Sequence, residues 1–202
     1  MVSRRIALLS PATGLGLLLF SEQASAGGQA EEPLVDSVRS ALSYAVAHQA
    51  PPVPDFAGAD ERQRYQQWLA RASERLTRQK PQWMVRQEFL QTLWYESRRA
   101  GLAPALVLGL IQVESNFRKF AISSVGARGY MQVMPFWTRA LGDGDASRLF
   151  HMQTNLRFGC VILRHYLDRE KGDLFMALGR YNGSRGKPAY PDAVLGAKKR
   201  WD

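Results

Sequence analysis

Ala103-Pro104-Ala105-Leu106-Val107-Leu108-Gly109-Leu110-Ile111-Gln112-Val113-Glu114 is apolar on nearly every side of a helical turn and ends in a carboxylate. A helix that is hydrophobic all round is a buried one, so this run predicts the central helix of a packed helical domain. Between Gly101 and Gly142 the chain has no other Asp or Glu. Desolvation disfavours the charged form of a lone carboxylate at the edge of apolar surroundings, so its pKa should be raised. An acid still protonated near neutral pH can give its proton to a leaving oxygen, as cleavage of a glycosidic bond requires.

Working outward, the flanks read as further helices. Pro81 opens one that runs to about Arg99, with Phe89, Leu90, Leu93 and Trp94 facing inward. Gly101 suits its C-terminal cap and Pro104 the first turn of the next helix. After Glu114 comes the small-residue loop Ser123-Ser124-Val125-Gly126-Ala127-Arg128-Gly129, with room for a small β-hairpin. Further helices are expected from Pro135 to about Leu141, Met152 to Asp168, Leu174 to Tyr181 and Tyr190 to Lys199. Upstream, residues 34–49 and about Asp60 to Gln79 show helical spacing. Pro51, Pro52 and Pro54, followed by Gly58, mark a linker between them. No strand series and no internal repeat is evident, so the expected class is all-α.

The start of the chain is set apart. Arg4-Arg5, the mostly apolar stretch Ile6 to Phe20 and Ala24-Ser25-Ala26 read as a secretory signal peptide cut after about Ala26. The stretch is too short and broken for a stable membrane span. The organisation predicted is a signal peptide (1–26), a helical extension with a Pro-rich linker (27–80) and a catalytic domain (81–202). The formal charge of +9 falls to about +8 once Arg4, Arg5 and Glu22 are removed. A basic exported protein favours anionic partners, such as cell-wall polymer, lipid head groups or nucleic acid. Cys160 is the only cysteine; its apolar helical setting predicts a buried, inert thiol. His48, His151 and His165 have no metal-binding spacing, the loop glycines do not follow a strand, and no Gly-x-Ser-x-Gly pattern occurs. Neither metal nor cofactor is expected.

Several motifs resemble one family, the soluble lytic transglycosylases of family 1 (the SLT domain). Gln112-Val113-Glu114-Ser115-Asn116-Phe117 resembles its catalytic Glu-Ser motif, and Gly126-Ala127-Arg128-Gly129-Tyr130-Met131-Gln132-Val133-Met134-Pro135 its Gly-x-x-Gly-Leu-Met-Gln-x-Met-Pro motif. Asn155-Leu156-Arg157-Phe158-Gly159 and Ala177-Leu178-Gly179-Arg180-Tyr181-Asn182-Gly183 are similar to its Asn-x-x-x-Gly and Ala-Tyr-Asn-Ala-Gly segments. They occur in the family's order over residues 84–200. Tyr130 departs from the usual Leu, and Gly183-Ser184 from the usual Ala-Gly.

The resemblance implies a lysozyme-like, goose-type helical fold that cleaves the MurNAc–GlcNAc β-1,4 bond of peptidoglycan. It implies a 1,6-anhydromuramoyl end, with Glu114 as acid and then base. The resemblance gives Ser123 a hydrogen bond to the muramoyl group and to the carboxylate; a turn-forming role is the alternative. Gln132 suits sugar hydroxyls and acetamides. Met134 is favoured as a groove residue, with Met131 as readily core. Tyr181 is expected to orient Glu114 or pack beneath a sugar. Asn155 and Asn182 are expected to hold loops and caps, and Phe136 and Trp137 to contact glycan or fill core. Asp143, Asp145, Asp168 and Asp173 stay open as a second carboxylate. The partner implied is the peptidoglycan glycan strand, in the periplasm. Nucleic acid and membrane insertion are not expected, and a secretion or cell-wall machinery partner is left open. Nothing in the sequence calls for more than a monomer. The rival readings are a hydrolytic goose-type lysozyme-like muramidase and a non-catalytic cell-wall-binding protein.

Overall fold

The computed structural model describes residues 29, 31, 33–34, 36–47 and 56–202. The signal-peptide segment and the prolines of the linker lie outside the described residues. The described chain forms α1 (Asp36–Ala47), α2 (Ala59–Arg75), α3 (Trp83–Arg99), α4 (Pro104–Ser115), α5 (Phe136–Leu141), a 3-10 turn (Ala146–Phe150), α6 (Met152–Arg169), α7 (Leu174–Asn182) and α8 (Ala189–Lys198). The expected hairpin reduces to two isolated antiparallel bridges, Ile122 with Arg128 and Arg128 with Val133. The all-α class is therefore the observed one. Among the described residues, no helix is long and apolar enough to cross a membrane.

The apolar run is α4, starting at Pro104 and enclosed on all sides. Leu106, Val107, Leu108, Leu110 and Ile111 are buried. Each such leucine contributes roughly 2 kcal/mol on burial, against about 1 kcal/mol lost by placing Gly109 in a helix interior. Packing therefore decides this element, and Gly109 shows how. A Cβ there would lie 2.6 Å from the Lys198 nitrogen and 3.0 Å from the Val194 carbonyl. The missing side chain is what lets α8 lie directly on α4.

The remaining helices close the shell. Phe89, Leu90 and Leu93 of α3 and Leu156, Ile162 and Leu163 of α6 join the same core. A buried ion pair locks α3 to α6: Arg157 donates from Nη2 to Oε1 of Glu96 at 2.8 Å and from Nε to both carboxylate oxygens. Ala72 of α2, and Leu76 just beyond it, belong to this core as well, while α1 packs on α5 and α6. Cys160 is buried and its thiol is pushed up by desolvation, as expected of an inert cysteine.

Candidate active site

Glu114 is the penultimate residue of α4. The helix stops because Asn116 (φ 46) and then Phe117 (φ 63) turn left-handed, and the Asn116 N–H returns to the Gln112 carbonyl. This end points Glu114 into the protein, where it is 5% exposed. Tyr190, in the first turn of α8, donates its hydroxyl to Oε1 at 2.5 Å. Oε2 is buried and has no hydrogen-bond partner among the described residues. Burial raises the acid to about 8; the Tyr190 hydrogen bond pulls the other way but is the smaller influence. The carboxyl is thus a held, protonated acid at neutral pH.

The four aspartates open as second carboxylates are engaged by their own neighbours. Asp143 pairs with Arg148 and Asp168 with Arg164. Asp145 accepts from the Ser147 N–H, and Asp173 caps α7 through the Met176 N–H.

The loop after α4 folds back over the end of that helix. Asn155 is its staple: Oδ1 accepts from the Met131 N–H, and Nδ2 donates to the Arg128 and Leu149 carbonyls. Gly129 has φ 78, and a Cβ there would sit 2.3 Å from the Asn155 Nδ2, so the loop can pass only as glycine. Ser115 fastens the other side by donating to the Tyr130 carbonyl at 2.7 Å.

The expected site residues divide. Ser123 closes the hairpin: its hydroxyl accepts from the Ala127 N–H at 3.1 Å. Among the described residues the Glu114 carboxyl receives no hydrogen bond from Ser123, whose hydroxyl serves as an acceptor within the turn. Gln132 is 2% exposed, at φ 47, and its Nε2 donates to the Ala121 and Gly129 carbonyls. Its amide hydrogens brace the loop from inside. Met134 is partly exposed, whereas Met131 is buried against Gly159. Tyr181 is fully buried and donates to the Met131 carbonyl at 2.8 Å. The orienting contact expected of it is made by Tyr190 instead, because α8, not α7, lies along α4. Phe136 and Trp137 are core residues.

Two residues at the candidate site were not expected. Tyr190 is 76 residues from Glu114, with no local spacing to link them. The available signal was an aromatic hydroxyl opening the helix that must cover α4. Gln29, from the start of the described chain, is also buried here. Its Oε1 accepts from the Trp137 indole N–H at 3.0 Å and from the Met134 N–H at 3.4 Å, and its side chain faces Tyr181.

Fold and site together define an all-α domain with a buried acid, held by a tyrosine hydroxyl rather than a cation, beside a glycine-rich loop. The family described as the transglycosylase SLT domain matches residues 93–199, more than half of the sequence, and the chain belongs to that family. A transglycosylase of Enterobacteria phage PRD1 is 36% identical over 115 residues, 54% of this chain and 42% of the phage protein. A membrane-bound lytic murein transglycosylase C of Actinobacillus pleuropneumoniae is 32% identical over 84 residues, 38% of this chain and 23% of that protein. The chain thus spans less than half the length of these curated relatives. The solved structure of an inactive mutant of the lytic transglycosylase Slt from Pseudomonas aeruginosa aligns over 85% of this chain and 35% of its own. The TM-score is 0.45 and the identity 18%.

Proposed function

We propose that this chain is a peptidoglycan lytic transglycosylase that cleaves the MurNAc–GlcNAc β-1,4 bond with Glu114 as its only acid and base. The observation that carries the reading is the state of that side chain. One oxygen is held by Tyr190, the other is buried without a partner among the described residues, and burial keeps the proton on to about pH 8. Glu114 donates its proton to the glycosidic oxygen, the C1–O bond breaks, and the departing GlcNAc leaves with a hydroxyl. The carboxylate left behind then takes the proton of the muramoyl C6 hydroxyl as that oxygen bonds to C1. The proton is returned, no water is consumed and no oxidation state changes. The substrate's N-acetyl group supports the positive charge at C1, so a second protein carboxylate is not required.

Gln29 supports a groove for N-acetyl sugars. Its carboxamide oxygen is the same kind of acceptor as an acetamido oxygen, and here it takes the Met134 and Trp137 N–H donors. We assign Met134 and the hairpin at Ser123 to the substrate face, with Gln132 and Tyr181 acting through the loop they hold. Residues 81–202 form the catalytic unit and 27–80 its brace, with export to the periplasm through 1–26. Mass spectrometry of digested peptidoglycan tests the chemistry. Muropeptides one water lighter than reducing-end products are expected; reducing ends from the outset would identify a hydrolase instead.

A further inference from the structure

Lys80 is an anomaly outside the matched family segment. It follows α2, is 7% exposed, and its described partners are neutral oxygens and aromatic faces. Nζ donates to the Tyr130 hydroxyl at 2.7 Å and reaches the Phe117 carbonyl at 3.4 Å. It stands 4.4 Å from the Tyr130 ring centroid and 4.6 Å from that of Phe89. Its backbone is pinned as well, since Arg86 donates to the Lys80 carbonyl at 2.6 Å while its Nε holds Ser73.

An unpaired ammonium is expensive to bury, and desolvation, helped by Lys119, lowers Lys80 to about 8. That outlay has a location. Phe117 is the second of two consecutive left-handed non-glycine residues that end the helix carrying Glu114, a backbone that a bulky side chain rarely adopts. Tyr130 heads the loop whose carbonyl is tied to Ser115, the neighbour of Glu114. Lys80 therefore ties the residue that ends the Glu114 helix to the residue whose carbonyl holds Ser115. Tyr130 is also the position where the loop motif departs from its usual leucine, and a leucine would leave Lys80 only the longer contact to the Phe117 carbonyl.

We propose that Lys80 and Tyr130 are a coupled pair of positioning residues that fix the geometry of Glu114 by clamping the strained end of its helix to the glycine-rich loop. This rests on Glu114 being the catalytic acid. Neither residue touches substrate; both act through Glu114.

The test is a double-mutant cycle of Lys80→Met and Tyr130→Leu, read by kinetics on peptidoglycan and by carbon-13 NMR titration of the Glu114 carboxyl. Each single variant is expected to lower kcat about tenfold with KM within about twofold, and the double variant to lose no more than either single one. In Lys80→Met the Glu114 midpoint should move down toward the ordinary carboxylate range as the pocket opens to water. Loss of a nearby cation alone would move it up. Losses that multiply in the double variant, a midpoint that stays or rises, or folded single variants with wild-type kcat would each overturn the pair. A wild-type protein that releases no muropeptides overturns the proposed activity instead, and the NMR titration still decides the clamp. The double variant restores an apolar pair, so a misfolded single variant does not obscure the answer.

Discussion

At the scale of one residue, Glu114 is the proposed acid, and burial sets its proton affinity. Its folded pKa lies above its unfolded one, so its contribution to stability is fully present below about pH 4.5 and is lost as pH rises through about 8. Glu114→Gln removes that loss. Denaturant melts should find the variant more stable than wild type at pH 8, by on the order of a few kcal/mol, with the gap closing toward pH 4.5. For catalysis the same group predicts kcat/KM that falls as pH climbs past about 8, because the protonated form is the reactive one. Tyr190→Phe removes the hydrogen bond that favours the carboxylate, so Glu114 should titrate higher still. The kcat should drop about 10- to 100-fold through lost orientation, measured by NMR titration beside steady-state rates. The buried setting of Glu114 was legible in the sequence, because an apolar run ending in an isolated carboxylate states its own environment. Tyr190 was not, since its relation to Glu114 exists only once α8 lies on α4. The orientation of Gln132 was not legible for a similar reason: a left-handed backbone turns its amide N–H groups onto two carbonyls.

At the scale of elements, the site depends on how closely helices approach. Helix boundaries followed from Pro104, Gly101 and the apolar spacing to within a few residues, because those signals are local. The depth of the α4–α8 contact is not local, and Gly109 gives it away only beside Lys198 and Val194. Gly109→Ala should gain helix propensity and still lose stability, by about 1–3 kcal/mol, as α8 is pushed outward. Activity should fall with it, since Tyr190 rides on α8. Thermal melts with rates measured on the folded fraction check both. The hairpin was overestimated: Gln132 and Asn155 hold the loop with side chains, so ladder pairing shrinks to two bridges.

At the scale of the whole molecule, the extension and the catalytic unit share one core. The proline linker draws a boundary in the sequence, but Leu42 and Val46 before it pack against the same core as Ala72 and Leu76 after it. A chain begun at residue 81 should therefore be poorly folded, showing lost near-ultraviolet dichroism and a broadened melt; a cooperative wild-type melt would argue that 27–80 is an appendage. The formal charge of +9 suits binding to an anionic wall polymer, weakened by salt. Binding and cleavage separate cleanly in one measurement, in which Glu114→Gln is incubated with insoluble peptidoglycan and both the bound protein and the released muropeptides are quantified. Retention on the polymer with release at least a hundredfold below wild type is the expected result. Release at the wild-type rate would contradict the assignment of Glu114 as the acid.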